Sequence, residues 1–258
     1  MLANYHTHTY LCHHAYDEPR QYVETAIKNG LEILGFSDHV PYPFKNGYVS
    51  DYHIDLADSD KYVEIVTSLK KEYEKDIEIL LGYEVEYYPK DFKSMLNFIS
   101  QYDYDYLILG QHFTFNEYDG HYVAFNSRDK NVLTQYVNQV CDGIDTRLFS
   151  LVAHPDIVNM TCDEKHKIRE YTRLCEHAKK NNIPLEINLL GLVARRNYPT
   201  DLFWEIAARV GNEVIISCDA HDAYRVGNKK EYERGLQYAE KFGIKPIDYL
   251  NLVKKTTA

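Results

Sequence analysis

Cysteine is sparse and unpatterned in this chain: Cys12, Cys141, Cys162, Cys175 and Cys218, with no CxxC spacing. An odd, scattered set of thiols excludes a disulfide framework and a cysteine-based zinc site, and it reads as reduced and cytoplasmic. No apolar run approaches the roughly 20 residues needed to span a bilayer, so no membrane contact is expected. The first candidate functional residue is already His6, which leaves no room for a secretory leader; the N-terminus is read as native and needed. Positive charge is in deficit, with 29 Lys and Arg against 39 Asp and Glu and a net charge of −10. That disfavours nucleic acid as a partner, because phosphate backbones select basic surfaces. No Asp, Ser or Cys nucleophile motif stands out.

What the chain does have is a repeated unit. Apolar, strand-like runs cover Leu2–His8, Leu31–His39, Ile77–Glu86, Tyr106–His112, Leu148–Asp156, Pro184–Asn188 and Glu213–His221. Helical patterns follow them: Pro19 to Asn29, Ser59 to Lys75, Lys90 to Gln101, Asp129 to Cys141, Thr161 to about Asn181, Thr200 to Val210 and Lys229 to Phe242, with a short C-terminal helix after Pro246. Thr161 to Glu164 has the form of a capping box. Continuous runs such as Glu78-Ile79-Leu80-Leu81 are those of parallel strands buried on both faces. Seven units predict one α/β domain over residues 1–258, a distorted barrel short of the usual eight units. Two long connections, Pro41 to Asp58 and Phe113 to Arg128, follow strand ends and are expected to overhang one face.

Histidines and acids collect at the downstream ends of those runs: His6 and His8, Asp38 and His39, Glu84 and Glu86, His112, His154 and Asp156, Glu186, Asp219 and His221. In a parallel barrel these ends share one face. His6 and His8 alternate on one side of a strand and form a compact clamp. Imidazole and carboxylate donors suit zinc, manganese or iron. One catalytic zinc typically uses three protein ligands, so this many donors is enough for two or three divalent ions, with Glu84 able to bridge. Clustered ions of this kind act on phosphoesters.

The ordered segments His6-Thr7-His8, Ser37-Asp38-His39, Gly82-Tyr83-Glu84-Val85-Glu86, Gly110-Gln111-His112, Ala153-His154-Pro155-Asp156 and Ser217 to His221 resemble the PHP (polymerase and histidinol phosphatase) superfamily. The resemblance runs from residue 4 to about 225 and is nearest the monofunctional histidinol-phosphatase branch. It implies a distorted (β/α)7 TIM-like barrel with a trinuclear site at the C-terminal ends of the strands. Carried over by position, His6, His8, Glu84 and Asp219 hold one metal; Glu84, His112 and His154 a second; Asp17, His39 and His221 a third. Some relatives have His where Asp17 stands here, and an oxygen ligand there favours manganese or iron. The implied activity is hydrolysis of a small phosphomonoester, L-histidinol phosphate. Arg195 or Arg196 would grip phosphate, and Asp17, His39 or water would protonate the leaving alkoxide. Ile157-Val158-Asn159 departs from relatives that carry a basic residue after His-Pro-Asp, and Arg128 is a candidate substitute.

Each of these residues also has an ordinary reading. Asp17 is an N-cap candidate, His13 and His14 read as solvated loop residues, and Arg195-Arg196 as a solvated charge pair. His53 and His121 on the long loops are candidates for substrate contact, and Glu186 for the substrate's ammonium. His166 and His177 read as surface residues. Two rival functions are a PHP-type phosphodiesterase or exonuclease and a non-catalytic metal-binding regulator. The oligomeric state is not readable from the sequence.

Overall fold

The computed structural model of the chain describes residues 1–253. Seven parallel strands, β1 (Ala3–Asn4), β2 (Ile33–His39), β3 (Glu78–Val85), β4 (Tyr106–Leu109), β5 (Leu151–Val152), β6 (Leu185–Asn188) and β7 (Val214–Ser217), form one sheet in sequential order. The seam between β1 and β7 is bridged by a parallel contact between Thr7 and Ala220. There His8 N donates to Ala220 O and Ala220 N to His6 O. The Asn4 side chain spans the same seam, accepting from Cys218 N at 2.7 Å. The result is a nearly closed, distorted (β/α)7 barrel.

Helices α1 (Pro19–Asn29), α2 (Ser59–Glu72), α3 (Phe92–Ile99), α4 (Lys130–Asp145), α5 (Glu164–Lys180), α6 (Leu189–Ala194), α7 (Asp201–Val210) and α8 (Lys229–Glu240) punctuate the strands. Sequence chemistry sets their starts. Pro19 opens α1 behind a reciprocal Glu18–Gln21 capping box, which satisfies donors a helix leaves unpaired. At α5 the cap is Asp163, whose side chain accepts from His166 N, so that helix starts beyond the box read at Thr161. Helix α6 directly follows β6 and was not among the helical patterns of the sequence; Asn188 accepts from Gly191 N at its start. No helix follows Pro246 among the described residues; Ile247 instead bridges to Ile215, and Leu250 N donates to Tyr5 Oη. This segment adds Leu250 to the buried lumen cluster, which is better filled by an extended apolar chain than by a one-sided helix.

The lumen holds Tyr5, Leu80, Tyr106, Ile108, Leu151 and Ile215. Tyr106 lies where a Cβ on Gly35 or Gly82 would stand 2.2 to 2.4 Å from its ring or hydroxyl, so two glycines in the adjacent strands β2 and β3 make room for one aromatic. Its hydroxyl donates to Tyr5 O at 2.7 Å. A larger apolar layer, including Phe36, Tyr62, Leu109, Leu174 and Trp204, lies between strands and helices. No helix among the described residues is long and apolar enough to cross a membrane.

Candidate metal centre

Strand register brings the donors together. His39 pairs directly with Glu84 across β2 and β3. The Thr7–Ala220 bridge puts the His6/His8 clamp beside Asp219 and His221. His154 and Asp219 sit at positive φ (29° and 50°), a conformation L-residues seldom adopt without support. For His154 part of that support is a hydrogen bond from its N to Glu186 Oε2 at 2.9 Å.

Glu84 is the centre of the cluster. One carboxylate oxygen lies 2.9 Å from His154 Nε2 and 3.9 Å from His112 Nε2. The other lies 3.4 Å from His6 Nε2, 3.5 Å from His8 Nε2 and 3.3 Å from His39 Nδ1. Asp219 Oδ1 is 3.5 Å from His6 Nε2, 3.3 Å from His8 Nε2 and 3.3 Å from His221 Nδ1. The groups with geometry to share an ion are His6/His8/Asp219, His6/Glu84/His154, His8/His39/Glu84 and His14/His39/His221, with Cys12 beside His8 and His221.

The far side of several imidazoles is held by an acceptor. His6 Nδ1 meets Glu186 Oε1 at 2.8 Å, His112 Nδ1 meets Glu86 Oε1 at 3.1 Å, and His8 Nδ1 faces Asp38 Oδ1 at 3.4 Å. These partners are held in turn: Thr9 N and its hydroxyl donate to Asp38, and the Tyr88 hydroxyl donates to Glu86. Such contacts fix the tautomer and aim the other nitrogen inward. Asp38 thus serves His8, while for His39 it accepts only the backbone N–H. Asp156 serves no imidazole: it accepts from Thr200 N at the start of α7.

The electrostatics are unbalanced without a cation. Burial opposes charge on His6, but Glu186, Asp219 and Glu84 outweigh it and raise its pKa well above the ordinary value. Burial would raise Glu84 and Asp219, yet the surrounding imidazoles hold both well below the usual carboxylate range. Burial and the cationic form of His8 push His221 down to about 3. His39 is lowered too, by burial and neighbouring imidazoles that overcome Glu84. The rings stand too close to charge together, with His8 and His221 stacked at 4.2 Å and His8 and His39 centroids at 4.6 Å. Meanwhile His6 Nε2, His8 Nε2, His39 Nδ1 and Asp219 Oδ1 are buried with no hydrogen-bond partner. Each such atom costs about 1–3 kcal/mol, against a folding stability of roughly 5–15 kcal/mol. Divalent cations relieve both problems, so this donor set fits metal.

The centre opens into a cavity of about 380 Å³ that also meets Tyr52, Tyr122, Arg196 and Tyr198. The structure gathers His6, His8, His39, Glu84, His112, His154, Asp219 and His221 around it. It does not bring Asp17 there. Asp17 is exposed, at φ 64°, and its carboxylate accepts from Ala223 N at 2.9 Å. The expected place of Asp17 is taken by His14, 5.3 Å from His39 and 4.9 Å from His221 between ring centroids. Arg196 faces the cavity, with Nη1 donating to Tyr198 Oη at 3.1 Å. Arg195 caps α6 at φ 54° and, like Arg128, lies outside the lining. His53 is buried beside Val40 O and Glu117, and His121 sits by Phe125 O; neither lines the cavity. His166 is buried, its ring beside Thr134 and Lys130 O. Asp222 and Arg225, on the connection after β7, do line the cavity and were missed in the sequence. Their position just past His221 on a strand-end loop was the available signal.

The model of the PHP domain matches residues 4–189. The histidinol-phosphatase of Bacillus subtilis is 28% identical over 254 residues, covering 86% of this chain and 94% of that protein. The probable histidinol-phosphatase of Deinococcus radiodurans is 25% identical over 236 residues, covering 88% of each. Among solved structures, the histidinol phosphate phosphatase of Lactococcus lactis, complexed with zinc, L-histidinol and phosphate, superposes with a TM-score of 0.72 at 18% identity over 95% of both chains. At that identity the likeness is one of fold. With the family model matching well over half of its length, and with the strand-end donors in place, the chain belongs to the PHP domain family.

Proposed function

We propose that this protein is a metal-dependent phosphomonoesterase that hydrolyses L-histidinol phosphate to L-histidinol and phosphate. The observation that carries the reading is the Glu84 carboxylate set among five imidazoles, at the floor of a cavity bordered by Arg196. The names of the Bacillus and Deinococcus relatives support the substrate, as do the ligands of the Lactococcus structure. His6, His8, Glu84 and Asp219 would hold one ion, Glu84, His112 and His154 a second, and His14, His39 and His221 a third. Divalent ions there would supply Lewis-acid polarisation of the phosphoryl group and an activated water at neutral pH. With His14 in place of Asp17 the third group is all nitrogen, which suits zinc better than manganese.

The chain's own residues supply the rest. Arg196, braced by Tyr198, grips phosphate oxygens as charge builds on them. Tyr52, Tyr122 and Tyr198 wall the cavity and limit water. Asp17 is turned onto Ala223 N, away from the cavity, and His39 would be bound to an ion, so the departing alkoxide takes its proton from water. The whole chain acts as one cytoplasmic catalytic domain on a small phosphomonoester, without nucleic acid or membrane. The test is phosphate release from L-histidinol phosphate, p-nitrophenyl phosphate and nucleotides, with metal analysis on the same sample. Preferred turnover of histidinol phosphate with two or three bound ions is expected. Metal-loaded protein that spares histidinol phosphate but cleaves nucleotides would overturn the substrate.

A further inference from the structure

Asp222 lines the cavity as its one carboxylate outside the histidine cluster, the other two being Glu84 and Asp219. Both of those are enclosed among imidazoles. Asp222, by contrast, keeps a third of its side chain exposed. It is held from three directions. Tyr16 N donates to His221 O and Ala223 N to Asp17 Oδ2, so the backbone is pinned on either side of it. Arg225 Nε donates to its Oδ2 at 3.0 Å. Arg225 is itself shared with Glu231, through Nη1 to Oε1 at 3.2 Å. Two carboxylates face one guanidinium, so the trio keeps one negative charge. Asp222 Oδ1 has no hydrogen-bond partner among the described residues.

We infer that Asp222 is a specificity-determining residue that receives the substrate's primary ammonium. The inference rests on the phosphatase reading above. L-Histidinol phosphate carries its ammonium on the carbon next to the ester methylene, so the cation must enter with the phosphate. Entry into a cavity lined by imidazoles and two arginines leaves that ammonium unpaired unless a carboxylate waits for it, and an unpaired buried cation is costly. Glu186, the acid suggested by sequence, is fully buried and committed to His6 Nδ1, His154 N and Asn188 Nδ2. Asp222 is the acid that remains, pre-oriented by Arg225 and Asp17, so little ordering is left to be done on binding.

The experiment compares L-histidinol phosphate with its deamino analogue, 3-(imidazol-4-yl)propyl phosphate, on wild-type protein and the Asp222→Asn and Asp222→Glu variants. A charge-assisted hydrogen bond corresponds to roughly a 10- to 100-fold effect. Asp222→Asn is expected to lose that much more kcat/KM on histidinol phosphate than on the analogue, chiefly through KM. Asp222→Glu, which keeps the charge, is expected to retain most of the preference. Equal losses on both substrates in a variant that melts like wild type would overturn the inference, as would an undiminished amine preference in Asp222→Asn. Wild-type protein inert towards histidinol phosphate would instead defeat the phosphatase reading itself.

Discussion

Gly110 leaves its side-chain space to Glu84: a Cβ on Gly110 would stand 1.8 Å from Glu84 Oε1 and 2.5 Å from its carboxyl carbon. The glycine follows the last residue of β4, two positions before His112, so one missing methyl lets the central carboxylate lie between His154 and His39. Gly110→Ala must push Glu84 aside. Displacement of about 1 Å at such a centre costs on the order of 100-fold in rate. The expected result is turnover reduced by that factor, with bound metal reduced in parallel and far-UV circular dichroism retained. Full activity with full metal content would refute the central role of Glu84.

Arg196 and Arg195 are adjacent in sequence but point to different fates. Arg196 lines the cavity and is braced by Tyr198, whereas Arg195 caps α6 outside it. Arg196→Ala should lower kcat/KM on the order of 100-fold, while Arg195→Ala should stay within about twofold, as surface changes usually do. Steady-state kinetics on histidinol phosphate decides, and the reverse ranking would move the phosphate grip to Arg195.

His14 and Asp17 separate ligation from loop support. Asp17→Asn keeps an oxygen to accept from Ala223 N, so activity is expected within about twofold of wild type. His14→Ala removes a donor beside His39 and His221. It should lower metal content by about one ion per chain and activity at least about 10-fold. Metal analysis beside phosphate release reads both effects.

Stability at low pH should report Glu170, which is 3% exposed between α5 and α4. Burial would raise its pKa, but hydrogen bonds from Arg173 and Arg169 outweigh it and hold the carboxyl below its ordinary value of 4.5. Arg173 also reaches Asn138 on α4 at 2.8 Å. A carboxylate with a depressed folded pKa stabilises the fold above its unfolded value, and that contribution is lost as pH falls through the folded one. Glu170→Gln should therefore cost about 1–2 kcal/mol at pH 7, with the gap to wild type closing below about pH 4. Urea melts at several pH values test this, and a gap that widened in acid would contradict it.

Much of the site was legible because strand ends in a parallel barrel share a face. His6, His8, His39, Glu84, His112, His154, Asp219 and His221 could be named before their distances were known, since linear order alone places them there. Loop residues had no such rule. His14 read as solvated and Asp17 as a ligand, yet a short 3₁₀ turn over Tyr10–Cys12 and the positive φ of His13 swing His14 inward, and Asp17 turns towards Ala223. Asp38 faces His8 on a neighbouring strand and not its sequence neighbour His39, a pairing that linear order does not give.

The sequence by itself determined the repeating strand-and-helix unit, the side of the barrel that carries chemistry and the donor types that suit divalent metal. Each follows from local periodicity and residue chemistry. Only the tertiary structure decided which arginine faces the cavity, which acid outside the histidine cluster lines it, and that the chain after Pro246 runs extended towards the barrel lumen. Those outcomes depend on contacts between residues far apart in the chain, such as Asp17 with Ala223 and Tyr5 with Leu250, and no local pattern encodes them.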